Sequence, residues 1–184
     1  MSEGKQSGAD WSELALSHLD ALYGFAMVLT RNSVEAEDLL QETYTRAVPQ
    51  FSRLRADSNV KAWLFTVMRN QWLKERRHLS CGPDFVALDD VEARQKAIDA
   101  NDPQTLYIRI WQREEIRAGL EQLPRHCAEI IVLSDMEGFS YKEIAEILEC
   151  PIGTVMSRLA RARAKLKRVL RIRLAGSAEQ RSSG

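Results

Sequence analysis

The sequence predicts an all-α protein of two small helical domains joined by an acidic flexible linker. Three observations predict it. Apolar residues recur at three- and four-residue spacing through both halves, and no alternating strand pattern of useful length interrupts them. The five prolines and nine glycines gather at boundaries instead of inside the periodic stretches. Between the two halves the chain turns acidic and loses its period. A length of 184 residues suits one domain or two small ones.

The first ten residues, "MSEGKQSGAD", read as a disordered tail (1–10), and the first domain follows at 11–80. Its apolar positions are Leu14, Leu19, Leu22, Phe25, Ala26 and Leu29, then Leu39, Leu40, Tyr44 and Ala47, then Val60, Trp63, Leu64 and Val67. "RNSVEAEDLL" supplies a helix start, with Asn32 or Ser33 as N-cap and Glu35 and Glu37 in the first turn. Pro49 ends or bends that helix.

The segment 81–110 changes character. "SCGPDFVALDDVEARQKAIDANDP" carries six acids against Arg94 and Lys96, and Gly82, Pro83 and Pro103 break it. This predicts an acidic linker, which composition alone explains equally well as a solvated spacer.

Helical periodicity resumes in a second domain, 111–174. Ile116, Leu120 and Leu123 lead to Pro124, and "HCAEIIVLSDMEGFS" gives a helix ended by Gly138. Ser140 with Glu143 forms a capping box at the head of the short helix "YKEIAEIL". A break at "ECP" follows, with Pro151 suited to the first turn of the next helix. The end, "AGSAEQRSSG" (175–184), reads as a disordered tail.

Short helix, tight turn and second helix make a helix-turn-helix. In the second helix Ile152, Val155, Leu159, Ala162, Leu166 and Val169 form one apolar stripe. Thr154, Ser157, Arg158, Arg161, Lys165 and Arg168 fall together on the far side. Small polar residues come first and basic ones after, the order of a helix that meets base edges at its start and phosphates further on. A solvated helix mixes charges of both signs, yet no acid occurs from Pro151 to Leu174. A helix lying on a membrane carries bulky apolar and aromatic residues that this face lacks.

Other function classes find little support. No apolar run approaches the roughly 18 residues of a membrane span, and the N-terminus lacks the apolar core of a signal peptide, which predicts a cytoplasmic protein. Three widely spaced cysteines, Cys81, Cys127 and Cys150, do not make a disulfide framework. His126 and Cys127 point about 100° apart on a helix, so these thiols read as small core fillers and not as a metal or redox site. The three histidines show no metal or triad spacing, and no Gly-rich phosphate loop occurs. The expectation is a protein with no enzyme activity, metal, cofactor or small-molecule substrate of its own.

Three stretches resemble one family in the right order. "LPRHCAEIIVLSDMEGFSYKEIAEILECPIGTVMSRLARARAKL" is similar to region 4 of the extracytoplasmic-function (ECF) sigma factors of bacterial RNA polymerase, members of the sigma-70 family. "AEDLLQETYTRA" resembles region 2.2, and "KAWLFTVMRNQWLKERR" resembles regions 2.3 to 2.4.

The resemblance implies partners and residues. Region 2.2 docks on the β′ coiled coil of core polymerase, which assigns docking to Glu35, Glu37, Asp38, Leu39, Gln41 and Glu42. Region 4 also meets the β flap. Regions 2.3 and 2.4 capture flipped, single-stranded bases of the −10 element. That assigns Arg53, Arg55, Asp57, Ser58 and Asn59 to a base-reading loop, and Lys61, Arg69, Asn70, Lys74, Arg76 and Arg77 to a basic track. Trp63, Phe65 and Trp72 read as core. Many members carry an acid at the position of Lys74.

The −35 contacts fall on Met156, Ser157, Arg158 and Arg161, with Thr154, Lys165 and Arg168 near phosphate. Members often carry Arg or Lys where this chain has Met156, and Met cannot make the bidentate guanine contact of Arg. The linker would thread toward the polymerase cleft. An anti-sigma factor would cover regions 2 and 4, and a membrane-bound one would hold the protein at the inner membrane. The rival reading is a free-standing helix-turn-helix regulator, which has no account of the acidic helix followed by a basic, aromatic one.

Overall fold

The computed structural model describes residues 13–55, 58–79 and 113–182, apart from the side chains of 52, 78, 79, 113–115 and 174–182. The expected N-terminal tail, the linker 81–110 and Asp57 lie outside the described residues. Every regular element among the described residues is helical.

The N-terminal half holds α1 (Leu19–Thr30), α2 (Ser33–Ala47), a 3-10 helix (Val48–Arg53) and α3 (Val60–Leu79). Asn32, with extended backbone, caps α2: its Oδ1 accepts from the amides of Val34 at 2.9 Å and Glu35 at 3.2 Å. Pro49 lies in the first turn of the 3-10 helix, so α2 tightens there without turning sharply away. Asn59 caps α3, its Oδ1 accepting from the Ala62 amide at 3.1 Å. Leu22, Phe25, Leu29, Leu64, Phe65 and Met68 are fully buried between these helices, with Phe25 and Phe65 rings 4.9 Å apart. Phe65 and Trp72 are buried and Trp63 half-buried, as a core role requires. Leu14 and Leu19, placed in the apolar pattern by spacing, lie exposed at the edge of this core.

The C-terminal half holds α4 (Arg113–Glu121), α5 (Arg125–Ile131), a π-helical turn (Val132–Met136), α6 (Tyr141–Leu148) and α7 (Ile152–Ser182). The single helix expected from His126 to Gly138 is therefore α-helical only to Ile131. The Glu137 amide reaches back to the Val132 carbonyl at 2.9 Å, one residue further than an α-turn. The wider turn re-aims Asp135 and Glu137. Gly138 then takes φ +73°, the left-handed conformation that lets the chain reverse into α6. Ser140 and Glu143 make the full capping box.

Val155, Leu159 and Ala162 of α7 are buried and Leu166 and Val169 partly so, while Ile152 is exposed at the helix start, ahead of the packing. Gly119 lets α4 approach α7, since a Cβ there would meet Leu170 at 3.0 Å. The backbone of α7 stays helical to Ser182, beyond the point where a disordered tail was expected at 175. Ala175, Ala178, Glu179, Gln180 and Arg181 are good helix formers, and an isolated Gly176 lowers helix stability without ending the helix.

The two halves pack together. α3 lies against α6, and α1 against α5. Phe139, buried at the head of α6, meets Phe65 edge-on with centroids 5.1 Å apart.

Candidate nucleic-acid interface and docking face

Three surfaces carry the expected residues. On α2 the pattern of Ala36, Leu39, Thr43 and Ala47 turns one side into the core. Glu35, Glu37, Asp38 and Gln41 are thereby exposed and Glu42 half-exposed. Leu39 is only 2% exposed, so it supports this face from below and cannot itself touch a partner. Its spacing from Ala36 and Thr43 puts it on the buried stripe. A shallow groove of about 380 Å³ runs between α2 and α3, lined by Asp38, Leu39, Gln41, Glu42, Thr45, Gln71 and Glu75. Its charged lining residues are acidic, and one of them, Glu42, pairs with Arg46 at 2.7 Å. Such a groove suits a basic side chain of a docking partner.

The second surface is the loop before α3 and the helix itself. Phe51 is buried edge-on against Trp63, with centroids 5.9 Å apart, which anchors the 3-10 helix. Arg53 and Arg55 are exposed, and Ser58, half-buried, donates its amide to the Arg55 carbonyl at 3.0 Å. Lys74 and Arg77 are exposed at the far end, while the Arg76 guanidinium lies 5.4 Å from the Trp72 ring centre.

Four residues expected on the basic track or base-reading loop instead meet the C-terminal half. Asn59 Nδ2 donates to Glu143 Oε1 at 2.5 Å. Lys61 Nζ lies 2.9 Å from Glu137 Oε2 and donates to the Glu137 carbonyl at 2.8 Å, and it sits 5.0 Å from the Phe139 ring centre. Arg69 Nε donates to Glu129 Oε1 at 2.7 Å and Nη1 to the Ile147 carbonyl at 3.3 Å. Asn70 Nδ2 donates to Glu149 Oε1 at 3.2 Å.

These carboxylates were not legible as site residues. Glu143 serves two partners, with Oε2 in the capping box and Oε1 on Asn59. Its carboxyl is held below the usual range, first by the Ser140 hydrogen bonds. Glu129 is buried, which pushes its carboxyl up against the opposing pull of Arg69 and then Arg158. His18, at the head of α1, is pushed down by burial and by Lys61, while Glu137 opposes both.

The third surface is α7. Its amides of Thr154 and Val155 close on the Pro151 carbonyl at 2.9 and 3.1 Å, and Glu149 at φ 51° makes the tight turn from α6. Met156 is 54% exposed, and Ser157 and Arg168 are exposed. Thr154, Arg158, Arg161 and Lys165 are half-buried around them. The Ser157 hydroxyl donates to the Thr154 carbonyl at 3.1 Å, which orders the start of the helix. Arg163 lies elsewhere: its guanidinium grips Asp135 at 3.0 and 2.5 Å, pinning α7 to the π-turn. The hydrogen bond to Asp135 is the main reason its pKa is raised.

Burial pushes the Cys150 thiol up despite Arg158 and Arg69, which disfavours its thiolate, and Cys127 is buried in the core. Among the described residues no cluster of His, Cys, Asp and Glu is arranged to hold a metal ion. No helix among them is long and apolar enough to cross a membrane.

Comparison with known proteins finds a family model over each half of the chain. Residues 14–80 match the family model described as Sigma-70 region 2, and residues 113–166 match Sigma-70, region 4. The chain is similar to the ECF RNA polymerase sigma factor EcfG of Rhodopseudomonas palustris, 35% identical over 84% of this chain and 82% of the relative. It is 33% identical to the ECF sigma factor SigE of Mycolicibacterium smegmatis over 85% of this chain and 60% of that protein. Among solved structures it is similar to the sigma factor RpoE of Bartonella quintana, co-crystallised with the anti-sigma factor NepR. That match has a TM-score of 0.64 and 31% identity, over 89% of this chain and 98% of that one.

Proposed function

This chain belongs to the ECF sigma factors of RNA polymerase, and from that premise we propose how its three surfaces divide the work of promoter recognition. A sigma factor is a DNA-recognition subunit of polymerase, and the chemistry of RNA synthesis stays with the core enzyme.

The exposed acids of α2 dock on a basic surface of core polymerase. The groove between α2 and α3 takes one of its cationic side chains. Opposite charge brings the partners together quickly and fixes their register, with modest affinity from each exposed pair. The loop before α3 and the outer side of α3 then hold the melted −10 strand. Arg53 and Arg55 meet an extruded base, and Lys74 and Arg77 follow the backbone; Asn59, Lys61, Arg69 and Asn70 join them only where the C-terminal half has left α3. Arg76 is drawn toward Trp72 and serves mainly to steady that ring.

In the C-terminal half the start of α7 enters the major groove at the −35 element. Met156, Ser157, Arg158 and Arg161 face base edges, and Thr154, Lys165 and Arg168 lie near phosphate. Met156 offers an apolar contact, such as to a thymine methyl, where Arg would read guanine. The linker 81–110 joins the two DNA-reading halves.

The observation that carries this reading is the separation of charge by surface: an exposed acidic α2, and basic faces on α3 and α7. A free-standing regulator has no use for the first. Control by an anti-sigma factor is extended to this chain from the Bartonella quintana relative, which was crystallised with one. Where that partner is membrane-bound, it holds the chain at the cytoplasmic side of the inner membrane.

Run-off transcription from random promoter libraries tests the reading, using purified core polymerase with and without the protein. Transcripts that need the protein, from templates sharing two motifs at fixed spacing, are expected. Sequence-selective duplex binding by the protein alone, with no transcripts, would transfer the chain to the free-standing regulators.

A further inference from the structure

Arg163 stands apart from the basic side chains of α7 that were assigned to DNA. Successive helical residues turn by about 100°, so Arg161, Lys165 and Arg168 fall within about 60° of one another, and Arg163 lies about 200° round the axis from Arg161. What it meets there is protein. Its Nε and Nη2 donate to the two oxygens of Asp135 at 3.0 and 2.5 Å, and Nη2 lies 3.4 Å from Ser134 Oγ. Tyr141 stands beside the same guanidinium and favours its charged form. One side chain in the middle of α7 thus joins the π-turn that holds Asp135 to the first residue of α6.

We propose that the Asp135–Arg163 fork is a positioning device for promoter reading: it fixes the rotation and tilt of α7 against the two elements before it, and so sets how sharply Arg158 and Arg161 discriminate among −35 sequences. The proposal rests on the assignment of α7 to the −35 element, and its test separates the two.

The apolar side of α7 does not supply this control by itself. Burial of Val155, Leu159 and Ala162 holds the helix down, but apolar burial is non-directional. Arg163 sits where that side loosens, because Leu166 and Val169 beyond it are only partly buried. A planar guanidinium bonded at two points to a carboxylate fixes direction as well as distance. A polar reading site needs its side chains held within about 0.5 Å and 10–20° of their working geometry, which demands directional support of this kind.

The π-turn belongs to the device. Its widened loop, closed by the Glu137 amide on the Val132 carbonyl at 2.9 Å, contains Asp135 and presents it to α7. Single π-turns are rare and concentrate at functional sites. The pair adds little to stability, since its side chains are 39% and 32% exposed and water screens them. A two-point link that stabilises little is explained by the direction it imposes. Asp135 also keeps Arg163 from acting as one more phosphate ligand, and that alternative role makes opposite predictions.

The test uses holoenzyme carrying the full chain, native or with Asp135→Asn, Arg163→Ala, Arg163→Lys, or Asp135→Asn and Arg163→Ala together. Two templates with the same −10 element compete for transcription. One has the −35 motif recovered from the promoter libraries, and the other has a single base pair of it changed. Arg161→Ala is the reference for lost base reading, and urea unfolding and circular dichroism report stability and helix content.

Asp135→Asn and Arg163→Ala should each lower the preference for the matched template about fivefold, the lower end of what one base contact carries. Together they should lower it no further, because both break the same link. Arg163→Lys keeps the charge without the fork and should behave like Arg163→Ala. Unfolding midpoints should change little. If Arg161→Ala alters the preference while Asp135→Asn and Arg163→Ala do not, the positioning role is overturned. Transcription that falls equally on both templates with Arg163→Ala, and rises with Asp135→Asn, would overturn it as well and make Arg163 a phosphate ligand. Should Arg161→Ala also leave the preference unchanged, the −35 assignment fails and the positioning role falls with it.

Discussion

Arg69→Ala removes the partner of a carboxylate that lies well away from water. The Glu129 side chain is only 10% exposed, and Arg69 Nε stands 2.7 Å from its Oε1. Burial raises the Glu129 pKa, and the charge and hydrogen bond of Arg69 are the first forces holding it down, with Arg158 after them. Breaking a buried pair by deleting one partner costs about 3–5 kcal/mol. Two features put this pair at the lower end. Arg158 continues to offset part of the charge, and α3 and α5 belong to different halves, so parting them rehydrates Glu129. The loss is therefore bounded by the free energy that holds the halves together.

The pH dependence has a definite sign. A carboxyl with a raised folded pKa binds its proton more tightly in the folded state. Its contribution to stability is greatest below the unfolded pKa and is lost as pH rises through the folded value. Arg69→Ala raises that folded value further, so its deficit should be about 3 kcal/mol near neutrality and shrink in mild acid. Urea unfolding at several pH values, followed by tryptophan fluorescence, measures this. The double variant Arg69→Ala with Glu129→Gln should recover most of the loss, because a neutral amide needs no counter-charge. A deficit below about 1 kcal/mol that is flat with pH would refute the argument, being what a surface pair gives.

Ser140→Ala should cost about 1 kcal/mol in thermal or urea unfolding, since it deletes the hydroxyl that caps α6. Glu37→Lys with Asp38→Lys should weaken binding to core polymerase severalfold at low salt without lowering the melting temperature. Unchanged core affinity would remove α2 as the docking face. Arg161→Ala should reduce discrimination among −35 variants by about 1–3 kcal/mol if it reaches a base, measured by competition transcription. Arg158→Ala is expected to do the same and also to raise the Glu129 pKa further, because Arg158 is one of the groups that lower it.

Local chemistry was the legible part of this fold. The Asn32 cap, the Ser140–Glu143 box and the buried side of α7 all depend on residues within a few positions of each other, while Pro151, expected in the first turn of α7, stands one position ahead of it and accepts its first bonds. Such signals survive in sequence because helix geometry fixes which neighbours meet. Leu39 was ambiguous for the same reason: spacing assigns it to the α2 stripe but does not say which side a partner takes. The π-turn at 132–136 leaves the apolar pattern of "AEIIVL" intact, so periodicity alone cannot separate it from an ordinary α-turn. Glu149 in the left-handed region is likewise hidden, since glycine or asparagine is the usual signal there.

The contact between the halves was illegible for a different reason. Its pairs are 60 residues apart for Arg69 and Glu129 and 84 for Asn59 and Glu143, with no period relating them. Each acid also had a sufficient local explanation. Glu143 caps a helix, and Glu129, Glu137 and Glu149 look like scattered solvated charges in a basic domain. The structure gathers them on one side, and α7 carries only basic charge from Pro151 to Leu174 on another. The C-terminal half is therefore electrically two-sided. Its α7 surface is basic, and its α5–α6 surface presents carboxylates to α3. An overall formal charge of zero conceals this arrangement, because the acids that balance α7 are placed where they also neutralise α3. Neutralising them by substitution should leave α7 unchanged and weaken the packing of the C-terminal half on α3, an outcome that a random scatter of surface charge does not predict.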